Sequence, residues 1–239
     1  MKLLETIRFE NGKFENLDFH QKRMNHSRKM LFGQIDEIDL PAMLQSWMNE
    51  RAGRSSGFEI WTQKDADLQS AGNEIKNSFT PDFQITNPKE LSGLFKCRII
   101  YSEQIEKVEF IPYSIPKINK LKMVFDDQIS YTYKFLNRTS IEKLYNLKGN
   151  HDDVLIVKNG LITDTSYANI IFYNGTEWLT PEKPLLKGTQ RVALLEKEMI
   201  KTADIRPVDL IHFKKARLLN AMIRFEDKMD IMIRNIISV

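Results

Sequence analysis

Lys134 stands in a run of aromatic residues, Tyr131–Phe135 (YTYKF), with Leu136 behind it. Taking an ammonium out of water is costly, so a lysine here has two readings. Its stem crosses an apolar patch while its head stays in water, or burial lowers its pKa and the free amine forms a Schiff base with a carbonyl compound. Asp164, in LITDTSYANIIF, is a carboxylate among apolar strand residues. It either serves a turn or holds a protonated heterocyclic nitrogen. Gly188-Thr189-Gln190 opens the helical run TQRVALLEKEMIKT. Thr189 caps that helix, or the unpaired N–H groups and positive dipole end bind an anion such as phosphate, which a glycine lets approach the backbone closely. Asn169 fixes its own loop or reaches a ring oxygen, and Arg23 taken alone is a solvated helix-face residue. The four histidines, His20, His26, His151 and His212, show no metal-ligand spacing, so no metal site is expected. No G-x-S-x-G, Walker or G-x-G-x-x-G pattern appears.

The elements that must position these residues are punctuated by three Asn-Gly pairs, Asn11-Gly12, Asn159-Gly160 and Asn174-Gly175. Each lies between β-branched or aromatic runs and predicts a two-residue hairpin turn with positive φ at both residues. Residues 2–17 then read as an isolated hairpin and 153–180 as an antiparallel meander. Phe95–Tyr101 reads as a further strand. Apolar spacing predicts helices over His20–Phe32, Leu40–Arg51, Lys134–Leu147 and Thr189–Thr202, with a short one over Phe213–Leu219. Residues 62–92 are polar and read as a long excursion. The two prolines of IPYSIPKINKLK mark a linker at 116–121, between an N-terminal α+β domain, 1–115, and a larger C-terminal α+β domain, 122–239.

Composition bounds the function classes. The chain has 239 residues, 42% apolar and 28% charged, with a formal charge of +3. That is ordinary globular composition, and the charge is too mild to indicate a nucleic-acid or membrane-surface partner. No apolar run approaches the roughly 20 residues of a membrane span. Cys97, the only cysteine, excludes an intrachain disulfide and a cysteine zinc cluster; it reads as a small buried strand residue in a reducing, cytoplasmic protein.

Taken in order, five segments resemble the class IV aminotransferases, the fold-type IV pyridoxal-phosphate enzymes. LLETIRFENGKFENLDFHQKRMNHS resembles the family's opening, YKFLNR its lysine segment, ITDTSYANIIF its E-x-S-x-x-N-I-F segment, LTPEKPLLKGTQR its phosphate-helix segment and LLNAMIRFED its last cofactor loop. The resemblance implies a two-domain α+β fold like D-amino-acid aminotransferase, pyridoxal 5'-phosphate between the domains, and a homodimer. It places Lys134 at the Schiff-base position and Asp164 where most members have a glutamate on the pyridine nitrogen. It places Arg23, Gly188, Thr189, Gln190, Asn220 and Ala221 at the cofactor phosphate, with Asn169 near the ring. The Thr-Gln after Gly188 departs from the Ile-Thr of many members, which favours backbone over hydroxyl contacts.

Within the family two reactions compete. Lys134-x-x-Asn137-Arg138 and the short chain look more like 4-amino-4-deoxychorismate lyase, which would release 4-aminobenzoate and pyruvate for folate synthesis. The alternative is a transaminase acting on branched-chain or D-amino acids. Arg8, on the first hairpin, and Arg98, in FKCRII, are candidate clamps for substrate carboxylates, since guanidinium binds carboxylate bidentately. A fold kept as a non-catalytic binding protein would instead show no cofactor absorbance and no adduct trapped by borohydride.

Overall fold

At Asn11-Gly12 and Asn159-Gly160 the backbone takes positive φ at both residues (49° and 81°, 52° and 75°), the geometry of a type I′ turn, and both pairs close tight hairpins. The computed structural model describes residues 1–52 and 92–237; most of the polar stretch 62–92 therefore lies outside the described residues. The chain divides into two units, Met1–Ser114 and Ile115–Val239.

In the first unit β1 (Leu3–Glu10) and β2 (Lys13–Phe14) form the first hairpin. It is not isolated. β1 pairs along its whole length with β3 (Leu94–Tyr101), which pairs with β4 (Ile105–Pro112), in the all-antiparallel order β2-β1-β3-β4. The reason is in β1 itself: it is buried on both faces, so its second edge needs a partner strand. Helices α1 (Leu17–Phe32) and α2 (Leu40–Ala52) complete the unit. The α1 helix starts at Asn16, in the left-handed region, and stops at Gly33, also left-handed. Trp47 of α2 stacks on Phe110, which meets Phe9 edge to face (centroids 5.4 and 5.1 Å). Cys97 is fully buried, and burial pushes its thiol pKa up, as fits a packing residue.

In the second unit β5 (Leu121–Phe125) is followed by α3 (Thr139–Tyr145) and then β6 (Asp153–Lys158), β7 (Leu161–Thr165), β8 (Asn169–Tyr173) and β9 (Trp178–Pro181). Next come α4 (Thr189–Glu196), β10 (Lys201–Ala203), β11 (Lys215–Leu219), β12 (Asp230–Met232) and β13 (Ile236–Ile237). They form one mixed sheet in the order β10-β9-β8-β7-β6-β5-β13, with β11 bridging β8 and β12. The expected meander is β6 to β9. Leu155, Ile170, Phe172 and Leu218 form one buried cluster; Val124, Val154 and Ile156 join α3's Ile141 and Leu144 in another. Among the described residues no helix is long and apolar enough to cross a membrane.

Four further expectations change. The helix expected over Lys134–Leu147 is α3 plus a 3-10 turn to Lys148, and residues 134–138 are irregular. That over Thr189–Thr202 ends at Glu196, because Glu198 turns into positive φ (55°) and Lys201–Ala203 joins β9 in parallel. Phe213–Leu219 is not helical: Lys215–Leu219 is the strand β11 between β8 and β12. Its residues Ala216–Leu219 are all buried, which erases the period-2 signal of a half-exposed strand. Asn174-Gly175 sits in a four-residue loop between Tyr173 and Trp178; Gly175 alone of the pair has positive φ, and Asn174 Oδ1 accepts from the N–H of Thr176 and Glu177 (2.9 Å each).

Candidate cofactor site

The β7–β8 connection is a short turn that sets Asp164 directly opposite Asn169. Thr165 N–H donates to the Ala168 carbonyl (2.9 Å) and Ala168 N–H to Thr165 Oγ1 (3.1 Å), closing the turn. Asn169 Nδ2 then donates to Asp164 Oδ1 (2.7 Å) and to the Leu186 carbonyl (2.9 Å), while Leu186 N–H donates to Asp164 Oδ2 (3.0 Å). Asp164 is buried, and burial raises its carboxyl to about 6; the Asn169 hydrogen bond, the backbone N–H groups of Leu186 and Leu185 and the Arg191 charge only partly oppose this. A carboxylate held this way would be stabilised by a cationic N–H brought against it. Both Asn169 amide hydrogens are engaged, so its effect on a bound ring acts through Asp164.

Gly188 is the residue before α4, and its φ of −70° is open to any amino acid. Glycine is required by space: a Cβ here would lie 2.1 Å from Asn169 Oδ1. The same asparagine thus fixes Asp164, the Leu186 backbone and the start of the helix. Thr189 and Gln190 are buried at the first turn of α4, where backbone N–H groups lack intrahelical acceptors. Arg191 is buried behind them, donating from Nη2 to the Pro181 carbonyl (2.7 Å) and from Nε to Thr180 Oγ1 (3.2 Å). Asn220 builds the turn that holds Ala221: its Oδ1 accepts from Met222 and Ile223 N–H (2.8 and 2.9 Å) and its Nδ2 donates to the Tyr167 carbonyl (3.3 Å).

Lys134 is half-buried in the irregular stretch ahead of α3. Its aromatic neighbours pack on each other: Phe135 meets Tyr131 and Tyr133 edge-on (6.3 and 6.1 Å), and Tyr131 Oη donates to the Phe135 carbonyl (2.8 Å). The lysine segment is therefore braced by rings rather than by a helix.

The first-unit candidates are held by carboxylates. Arg23 Nε donates to Glu5 Oε1 (2.9 Å), its Nη2 pairs with Glu5 Oε2, and His20 Nδ1 lies 2.7 Å from the same oxygen. Glu5 and His20 are fully buried. Their part was not read from the sequence, although His20 and Arg23 stand three apart and share a helix face. Arg8 Nη2 lies 3.0 Å from Glu10 and Arg98 Nη1 3.4 Å from Glu109. The register sets Arg8 opposite Lys96 and Arg98 opposite Thr6, so Arg8 and Arg98 share one sheet face and Glu5 lies on the other.

Burial alone would raise the Glu5 carboxyl, but Arg23 and His20 outweigh it and hold it at about 2. A depressed carboxyl stabilises the fold above its unfolded pKa and loses that contribution as pH falls. Between pH 4.5 and 2 the loss from Glu5 is about 3 kcal/mol, at 1.36 kcal/mol per unit. Acid unfolding of the Glu5→Gln variant is expected to lack this part of the pH slope. Equal slopes in urea melts of both proteins across that range would refute the arrangement.

The family model for class IV amino-transferases matches residues 131–225. An uncharacterised protein of Haemophilus influenzae is 30% identical over 220 residues, covering 92% of this chain and 97% of its own. The chain belongs to the class IV aminotransferase family. The matched stretch of this family member holds Lys134, Asp164, Asn169, Gly188, Thr189, Gln190, Asn220 and Ala221. A crystal structure from Haemophilus somnus, of a proposed 4-amino-4-deoxychorismate lyase, has 29% identity and a TM-score of 0.71 over 94% of this chain and 97% of that one. The pyridoxal-phosphate-bound form of a hypothetical aminotransferase from Mycobacterium tuberculosis has 17% identity and a TM-score of 0.62 over 92% and 78%. The mixed α+β architecture is thus that of the fold-type IV pyridoxal-phosphate enzymes.

Proposed function

We propose that this protein is a pyridoxal-phosphate-dependent lyase that converts 4-amino-4-deoxychorismate to 4-aminobenzoate and pyruvate. The observation that carries the cofactor is the buried Asp164 carboxylate, held by Asn169 and Leu186 beside a helix start that has no room for a side chain at Gly188. The 29% identity and TM-score of 0.71 to the Haemophilus somnus protein support the lyase over its sister reaction.

Pyridoxal phosphate, when bound, supplies a ring that draws off the charge left when a proton is removed from an amine-bearing carbon. Asp164 keeps the ring nitrogen protonated. The N-terminal N–H groups of α4 at Gly188, Thr189 and Gln190 and the turn at Asn220 and Ala221 would hold the phosphate; in the first unit, Glu5 and His20 fix the Arg23 guanidinium, which can bind an anion. Arg8 and Arg98, together on one face of the first unit's sheet, are the arginines proposed for carboxylate binding. Lys134 Nζ would hold the cofactor and, as a free amine, would take the proton from the carbon bearing the substrate amine. The C–O bond to the enolpyruvyl group breaks, and the proton that Lys134 took is balanced by the one the departing enolpyruvate needs to become pyruvate. Aromatisation makes the step irreversible. A homodimer acting in cytoplasmic folate synthesis belongs to the same proposal.

Family membership itself also accommodates the second reading, a transaminase for branched-chain or D-amino acids, because the removal of the first proton is common to both. The deciding experiment supplies enzymatically generated 4-amino-4-deoxychorismate to the cofactor-loaded protein and measures 4-aminobenzoate. Release is expected. A yellow protein that releases none but transfers amino groups from a panel of D- and L-amino acids would establish the transaminase. A colourless protein with no adduct after borohydride would end both enzyme readings.

A further inference from the structure

Three parts of the proposed site converge on one turn. Thr165–Ala168 connects Asp164 to its brace Asn169, and two outside segments grip its carbonyl groups. Arg138 Nη2 donates to the Ser166 carbonyl (2.5 Å), and Asn220 Nδ2 donates to that of Tyr167 (3.3 Å). Arg138 lies four residues after Lys134, in the same irregular stretch, at the residue preceding α3. That stretch has no continuous helical ladder to hold Lys134 in place. The Arg138 bond, 28 residues apart in sequence, is therefore a direct tie between the segment carrying Lys134 and the turn carrying Asp164.

Arg138 also has a feature that simple packing does not require. Its Nε is buried and has no hydrogen-bond partner among the described residues. A buried donor left unmatched is destabilising, and such a group in a native structure calls for a reason. A neutral side chain of similar length would fill the space without that loss. What the guanidinium adds is a charge-assisted bond to a backbone carbonyl, shorter and more directional than a neutral one.

We propose that Arg138 is a positioning residue that fixes the Lys134 segment against the Ser166 turn, so that lysine and ring-nitrogen carboxylate act at a set separation. The inference rests on the cofactor reading given above. It assigns Arg138 no contact with substrate or cofactor. Loss of the tie frees two segments together: the amides of Phe135, bonded to the Tyr133 carbonyl, and Ala168, bonded to Thr165 Oγ1.

The test uses the full-length Arg138→Met variant, with Arg138→Lys as a second variant that keeps the charge. In cofactor-free protein, hydrogen exchange at Phe135 and Ala168 is expected to speed up at least tenfold in Arg138→Met, and by less in Arg138→Lys. In protein loaded with pyridoxal phosphate, the pH midpoint of the cofactor's visible absorbance is expected to move by about one unit, with kcat lowered tenfold or more. A role in stability alone would lower the melting temperature of Arg138→Met and leave the absorbance midpoint unchanged; that result would overturn the proposal. So would faster exchange confined to one of the two segments. If Arg138→Met does not fold, the same measurements on the neutral, shorter Arg138→Gln decide, and parental exchange and midpoint there overturn it as well. If the parent protein takes up no pyridoxal phosphate, the cofactor reading fails. Coupled exchange would then leave only a structural tie, and the positioning role would be overturned with the reading it rests on.

Discussion

Lys134→Ala is expected to lower 4-aminobenzoate release by roughly a thousandfold or more and to leave the fold intact. Two losses combine. The amine that carries the cofactor is gone, and so is the base for the amine-bearing carbon, whose contribution alone is about 10²–10⁴ in rate. The structural cost is small because Lys134 is half-buried in an irregular stretch, where the rings of Tyr131, Tyr133 and Phe135 pack on one another. Substitutions away from buried networks change stability by about 0.5 kcal/mol, so the melting temperature of the cofactor-free variant should match the parent. The loaded variant should also lose the adduct trapped by borohydride, which separates loss of attachment from loss of substrate binding. Turnover within tenfold of the parent would remove Lys134 from its assigned position.

The same lysine shows where sequence reasoning reaches and where it stops. Its aromatic setting is local, so YTYKF announces it, just as Asn11-Gly12 and Asn159-Gly160 announce their turns through the φ values that only Asn and Gly take easily. What the residues around Lys134 do not announce is irregular backbone. Apolar spacing through Leu136, Ile141 and Leu144 matches a helix, yet the helix begins only at Thr139. β11 fails for the opposite reason, since a strand buried on both faces has no alternation to read. The candidate site follows the same division. Asp164 and Gly188 stand out by type and place, but the contact that joins them, through Asn169, links positions 164, 169, 186 and 188 that only the fold brings together. Glu5 is the extreme case. It lies on a hydrophobic strand, fifteen residues before His20 and eighteen before Arg23, and its partners appear only when β1 and α1 are in place.

Asp164→Asn should abolish most of the activity while changing stability by an amount that depends on pH. The native carboxyl titrates at about 6 against an ordinary value of 3.8. For an acid whose pKa is raised by folding, the folded state holds the proton more tightly. Stability therefore falls as pH rises from about 4 to about 6 and is level above that; the 2.2 units between the two values amount to about 3 kcal/mol. An asparagine has no such slope. It carries another cost, because its amide must turn NH₂ toward either Leu186 N–H or the Asn169 amide, donor against donor, at about 1–3 kcal/mol. At pH 4 the variant is thus the less stable protein. By pH 7 the native charge penalty has grown by about 3 kcal/mol, and the two proteins become equal or change order. Urea melts of the cofactor-free proteins at the two pH values measure this directly, and a difference that does not change with pH would show that Asp164 is not a strained carboxylate. Activity moves independently of that balance. Losing a charge-assisted bond to a ring N–H, worth about 1.5–3 kcal/mol, lowers turnover by roughly ten- to a hundredfold even where the variant is as stable as the parent. A buried carboxylate that is costly without its cation and required with it is what a cofactor site built around a protonated ring nitrogen demands.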